Sequence, residues 1–186
     1  MSILKSIREQ EGYTQADLSS KTGLSLRTIQ RLENTNKVPK GYTLNALAEE
    51  FNIEPSTLQA KYINNKRSRD SEIITIKMIN LSVLSFLGIP FGNLIIPIII
   101  WRNNRDSQLV DEVGRRIVNF QIIFTLTLSV VLILLPFTLG KLLPGIPIVL
   151  IIALCAYLFN IVVIIRTATK IQYQDFDFLN FPFRLI

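Results

Sequence analysis

The chain has 186 residues, 49 % of them hydrophobic, and a formal net charge of +6. With no histidine and one cysteine, it can form neither an intrachain disulfide, nor a His-based triad, nor a Cys/His zinc cluster. It lacks a Gly-rich phosphate loop, and its eight glycines read as turn residues, so enzymatic chemistry is disfavoured. No catalytic residue, cofactor or metal is expected.

The hydrophobic residues are unevenly spread. Residues 1–72 have the composition of a soluble protein, whereas 73–101, 117–139 and 142–165 are long apolar runs. Residues 1–70 hold eleven Lys/Arg against eight Asp/Glu, a modest excess that suits nucleic acid or an anionic membrane surface. Residues 1–15 are polar and amphipathic, unlike a signal peptide, so the N-terminal part is expected in the cytoplasm.

The pattern predicts an all-α chain. Ser2 caps a first helix with Ile3, Leu4 and Ile7 inward, and Gly12 ends it. Thr14 caps a second, QADLSSKT, and Gly23 supplies the left-handed turn after it. Ser25 caps a third, LRTIQRLEN, with Ile29 and Leu32 inward. The basic loop TNKVPKGY follows. Thr43 opens a fourth helix, and Pro55 and Ser56 begin a fifth that runs to about Tyr62. Tyr13, Tyr42 and Tyr62 read as packing residues at helix ends.

Two helices joined by a tight Gly-containing turn form a helix-turn-helix. The stretch QADLSSKTGLSLRTIQRLENTNKVPKGYTLNALAEEFNIEPSTL resembles the phage-repressor (Xre-type) family. The resemblance implies a five-helix, lambda-repressor-like DNA-binding domain over 1–63, whose third helix enters the major groove of duplex DNA. It also implies a structural ion pair between Arg8 and Glu33. Leu26, Arg27, Thr28, Gln30 and Arg31 then stand at or near base edges, where Arg suits guanine and Gln suits adenine. Gln15, Asn34, Lys37 and Lys40 fall where the family meets phosphate, which fixes register without reading sequence. The plainer alternative is that Arg27, Gln30 and Arg31 form an ordinary solvated face.

NNKRSRDSE, residues 64–72, reads as a polar linker, and its Lys66, Arg67 and Arg69 as a topology anchor before the membrane domain at 73–186. A spanning helix needs about 20 apolar residues. Residues 73–101 are interrupted at GIPFGN and at Pro97. They form either one kinked helix or two short helices, 73–89 and 91–101, in a hairpin. The hairpin returns Arg102, Arg105, Arg115 and Arg116 to the cytoplasm. Spans at 117–137 and 144–165 then leave only Lys141 outside and bring Arg166 and Lys170 back. About four membrane segments with both termini cytoplasmic are therefore expected, the second too short for a full span and either re-entrant or helped by a thin bilayer.

GIPFGNLIIPIIIWRNN, VDEVGRRIVNFQ and FPFRLI resemble a bacterial four-helix membrane domain of unknown function, distantly related to a subunit of the chloroplast inner-envelope protein translocon. Relatives carry His where Val113 stands, so a role tied to that His is absent here. The resemblance implies a multi-pass protein of the bacterial inner membrane.

On a helix, Asp111–Arg115 and Glu112–Arg116 are i,i+4 pairs in the favourable order, and Asn119 and Gln121 extend the polar stripe into the apolar run. This membrane-interface cluster is either a helix start at headgroup level or a contact site for a partner. Lys77 and Asn80 face it or, for Lys77, snorkel. Trp101 and Tyr173 read as interface anchors, and Cys155 as a small hydrophobe. The tail IQYQDFDFLNFPFRLI is either an edge-like extended segment or an interfacial helix broken at Pro182, and reads best as a segment on the membrane surface docked on the helices.

The leading function is a membrane-anchored transcriptional regulator that binds double-stranded DNA and the lipid bilayer, acting as a homodimer on two half-sites. A membrane state or a membrane-protein partner would supply its signal. Two alternatives stand beside it. One is a toxin-like or stress-module membrane effector whose helix-turn-helix autoregulates its operon. The other is a translocation component with a protein-binding adaptor, which has no need of Arg27, Gln30 and Arg31 on one exposed face.

Overall fold

The structure, a computed structural model, describes residues 2–89, 91–138 and 147–179, with only the backbone at 135–138. All regular structure among them is helical. In chain order come α1 (Ile3–Gln10), α2 (Gln15–Thr22), α3 (Leu26–Thr35), α4 (Gly41–Glu50), α5 (Pro55–Ser82), a 3-10 turn (Val83–Leu87), α6 (Gly92–Asn103), α7 (Gln108–Thr138) and α8 (Ile148–Gln172). The chain divides into two compact units, Met1–Asp70 and Ser71–Ile186.

In the first unit the helix starts follow local chemistry. The Ser2 and Ser25 hydroxyls accept from the Lys5 and Thr28 amides. Thr14 and Asp17 form a reciprocal capping box. Gly23 adopts φ +69°, a left-handed conformation without cost for glycine, and so ends α2 and sets the turn into α3. Leu4, Leu18, Ile29, Leu47, Leu58 and Tyr62 are fully buried and close the core. Two boundaries differ from expectation. α4 begins at Gly41 rather than Thr43, with Lys40 at its N-cap and no side-chain cap bond. α5 does not stop near Tyr62 but continues through residues 64–72. That stretch has no apolar period and is almost wholly exposed, yet it lacks Gly and Pro. Its helix formers need no buried stripe where apolar anchors, Leu58 and Tyr62 before it and Ile76 and Ile79 after it, are buried.

In the second unit the chain reverses between the 3-10 turn and α6, as the hairpin reading expected. Phe91 takes a left-handed φ of +58° at the start of α6. The backbone of Gly92 lies so close to Ser85 that a Cβ there would meet the Ser85 carbonyl at 2.8 Å. α7 and α8 are antiparallel: Gln121 pairs with Asn160, and Arg116 reaches the Phe176 carbonyl beyond the end of α8. Ile76, Ile79, Trp101, Val113, Ile117, Ile164 and Phe178 share the core. Phe178 thereby docks the described part of the tail on the helices; Pro182 and FPFRLI lie outside the described residues, as does Lys141.

The expectation of about four membrane segments is corrected to two. Among the described residues only Gln108–Leu134 and Ile148–Gln172 are long and apolar enough to cross a membrane. At 1.5 Å per residue they are about 40 and 37 Å long, against a hydrocarbon core of about 30 Å. α6, of 12 residues, reaches only about 18 Å. Only 22 % and 11 % of the most apolar stretches of the two long helices are buried within the chain, the reverse of a soluble core helix.

Candidate DNA-contact face and the polar seam of the membrane unit

On α3, Ile29, Leu32 and Glu33 point inward. This leaves Arg27, Gln30, Arg31 and Asn34, spaced i, i+3, i+4, i+7, along one exposed stripe with Leu26 beside it. No acid interrupts the stripe, since Glu33 is buried on the other side. Thr28 is placed differently from the rest: it is half-buried, and its hydroxyl lies 2.9 Å from that of Ser25, within the cap. The loop after α3 is tied down. Asn36 adopts φ +48°, and its side-chain oxygen accepts from the Ile3 amide at 3.2 Å. Pro39 is buried and Val38 partly so, which leaves Lys37 and Lys40 exposed on a fixed loop.

Arg8 and Glu33 form the ion pair that the resemblance implied. Arg8 Nε donates to Glu33 Oε1 at 2.6 Å, Nη2 to Oε2 at 3.3 Å, and Nη1 to the Tyr13 carbonyl at 2.6 Å. Gln15 Nε2 donates to Glu33 Oε2 at 2.7 Å. One of its amide protons is therefore committed inward, and only the other remains for a phosphate. Burial pushes the Glu33 carboxyl up, but the bonds from Arg8 and Gln15 and the Arg8 charge outweigh it and hold the group below its usual range. The Glu33 bond raises Arg8 in turn. Tyr62, buried in the same core, is pushed up by burial and by the Glu33 charge.

Tyr42 is not the packing residue its helix-end position suggested. It is 72 % exposed, because the first turn of α4 projects it outward. Its hydroxyl lies 3.6 Å from where a Cβ on Gly23 would stand, over the turn between α2 and α3. That places an unassigned donor beside the candidate DNA face.

In the second unit, polar groups form a seam through the apolar helices. Gln121 Nε2 donates to Asn160 Oδ1 at 3.0 Å, and Asn160 Nδ2 donates back to Gln121 Oε1 at 3.2 Å. Asn93, at the start of α6, donates to Thr125 Oγ1 at 2.7 Å and to Gln121 Oε1 at 3.3 Å. Asn80 donates to the Ile164 carbonyl at 2.9 Å. Asn80, Asn93, Gln121 and Asn160 are all buried. The sequence singled out Asn80 and Gln121 but missed Asn93, Thr125 and Asn160. Asn160 had a signal: it is the one amide in an apolar run of α8, where an unpaired polar group is costly.

At the end of this seam, Asp111 pairs with Arg115, and Glu112 Oε1 lies 2.5 Å from Arg116 Nη2. Asn119 is buried one turn further in, with Oδ1 unpartnered among the described residues. Ser107 opens α7: its Oγ accepts from the Val110 amide and donates to Glu72 at 2.8 Å. Arg102, Arg105, Arg115, Arg116, Arg166 and Lys170 all gather at this end, where α6 finishes, α7 begins and α8 finishes.

A helix-turn-helix domain family matches residues 2–66. The magnetosome magnetite crystal formation protein family matches residues 72–186, more than half of the chain. The chain belongs to the magnetosome magnetite crystal formation protein family. No curated protein matches it, and no solved structure does. It is thus a DNA-binding helix-turn-helix domain fused to a membrane-associated domain of the magnetosome family, with two apolar helices.

Within the magnetosome-family domain, VDEVGRRIVNFQ owes its glycine to packing rather than to a turn. Gly114 lies inside α7, where a Cβ would come within 2.5 Å of Trp101 Cδ1 and 3.1 Å of Ile79 Cδ1. Trp101 is accordingly a core residue and not the interface anchor its sequence position suggested. It is buried, and its indole N–H donates to the Asp111 carbonyl at 3.2 Å. Gly114→Ala is expected to cost about 1–3 kcal/mol through overpacking and to change Trp101 fluorescence, which reports on this joint alone because the chain has one Trp. Wild-type stability and an unmoved emission maximum would contradict the packing.

Proposed function

We propose that the chain is a transcriptional regulator held at the bacterial inner membrane, which reads duplex DNA with α3 while α7 and α8 cross the bilayer. It acts by binding rather than by catalysis. The carrying observation is the acid-free stripe of Arg27, Gln30, Arg31 and Asn34 on a helix-turn-helix in a chain whose two apolar helices are mostly uncovered. Leu26 adds an apolar contact for a thymine methyl, while Lys37, Lys40 and the free amide proton of Gln15 meet phosphate. Two copies reading two half-sites would give the site its symmetry.

Binding isotherms of the full chain in nanodiscs, on a selected operator and on random duplex at two salt concentrations, test the reading. Arg27→Ala and Gln30→Ala are each expected to cost about 1–3 kcal/mol on the operator only. Lys37→Ala and Lys40→Ala should weaken both duplexes alike and lower the salt slope by about one. Equal loss on both duplexes for Arg27→Ala would remove base reading.

The cation-rich end of the membrane unit is assigned to the cytoplasm by the positive-inside rule. Reporter fusions at residue 186 and within 139–146 are then expected in opposite compartments, the former cytoplasmic. A periplasmic C-terminus would reverse the topology.

The family match over residues 72–186 favours a second reading, in which the membrane unit has a task of its own in magnetite crystal formation and the helix-turn-helix regulates its operon. A chain carrying Arg27→Ala and Gln30→Ala separates the two. The first reading expects loss of all function, and the second expects a membrane phenotype that survives.

A further inference from the structure

The last two turns of α8 and its C-cap carry Arg166, Thr169, Lys170 and Tyr173 at i, i+3, i+4 and i+7, which places them on one face. All four are exposed, Tyr173 by 79 %. They line a cleft of about 320 Å³, walled on one side by Ile165. Continued towards the start of α8, the same face is apolar and uncovered: Val162, Phe159, Cys155 and Ile151. The face thus changes abruptly from hydrocarbon to cation, hydroxyl and phenol where the span ends.

The two cations are held differently. Lys170 Nζ donates to the Asp177 carbonyl at 2.8 Å and lies 3.3 Å from Asp175, which fixes it at the rim. Arg166 has no side-chain partner among the described residues, so its fork of donors is uncommitted. The Asp175 carboxylate also borders the cleft, but Lys170 neutralises it.

We infer that this face binds an anionic phospholipid, with the headgroup phosphodiester on Arg166 and the Tyr173 hydroxyl and the acyl chains along Val162, Phe159 and Ile151. Arg engages phosphate through two parallel N–H bonds, and because the choline ammonium cancels the phosphate charge within its own headgroup, the uncompensated Arg166 charge favours a net-anionic lipid. The apolar continuation selects a lipid over a soluble anion. The inference rests on the reading that α8 crosses the bilayer with its C-terminal end at headgroup level.

The test reconstitutes the full chain in nanodiscs of phosphatidylcholine doped with phosphatidylglycerol, and reads lipid retained after extraction by native mass spectrometry. Wild-type protein is expected to retain phosphatidylglycerol over phosphatidylcholine by about fivefold beyond the bulk ratio, the scale of one basic contact at a membrane surface. Arg166→Gln should abolish most of that enrichment and Tyr173→Phe part of it, whereas Arg105→Gln, in the loop after α6, should leave it. Incorporation without enrichment, or enrichment unchanged in both Arg166→Gln and Tyr173→Phe, overturns the lipid site but leaves the membrane reading standing. Displacement of the retained lipid by millimolar inorganic phosphate assigns the face to a free anion and likewise overturns it. A chain that does not incorporate overturns both.

Discussion

Arg8→Ala is expected to destabilise the helix-turn-helix unit by about 3–5 kcal/mol, the cost of leaving a buried carboxylate without its counter-charge. Glu33 would lose two guanidinium bonds and keep only Gln15, while the Tyr13 carbonyl would lose its donor as well. The pH dependence has a definite sign. Glu33 titrates below its usual range in the folded unit, so between the folded and unfolded pKa values the unfolded chain binds more protons. The stability this supplies is present above the ordinary carboxylate range and is lost as pH falls through the folded value. The raised Arg8 matters only at strongly alkaline pH. Thermal melts of wild type should therefore weaken on the acid side, and Glu33→Gln should flatten that limb. Arg8→Ala within 1 kcal/mol of wild type, a span that covers exposed ion pairs, would show that the pair is not the buried clamp described here.

The second large effect lies in the membrane unit. Gln121→Leu should orphan both ends of the Asn160 side chain in an apolar surround, at about 1–3 kcal/mol for each unsatisfied group. Asn93 would still have Thr125. Combining Gln121→Leu with Asn160→Leu should recover much of the loss, because replacing both partners removes the unpaired group altogether. A double-mutant cycle measured by steric trapping or thermal aggregation in nanodiscs reads this directly. Additive losses would mean that the two amides do not act as a pair.

What the sequence revealed follows from how local each signal is. Ser2, Thr14, Ser25 and Gly23 set helix ends through neighbours within four residues, and α2 begins and ends where those residues place it. Arg8 and Glu33 are 25 residues apart, and only the family resemblance joined them. Gln121 and Asn160 are 39 apart on antiparallel helices, and no periodicity connects them. The apolar length of residues 73–101 suggested two segments. A 3-10 turn and a left-handed Phe91 do fold that length into the expected hairpin, but α6 has only 12 residues, too few to cross a membrane. Trp101 was misread because its position near a span end is common to anchors and core residues. What decides between them is the bare Gly114 surface opposite, which lies on another helix. The helical course of residues 64–72 was hidden for the opposite reason: a fully solvated helix has no apolar face to betray it.

On the proposed function, this chain reads DNA while embedded in the membrane. Chromatin immunoprecipitation of the full-length protein from crosslinked, washed membranes tests it most directly. A few discrete genomic sites that share a motif should be recovered, lost when Arg27 and Gln30 are both replaced by Ala and kept when Arg105 is replaced by Gln. Recovery of no enriched DNA from membranes that contain the protein, or the same sites with the Arg27 and Gln30 replacements, would contradict it.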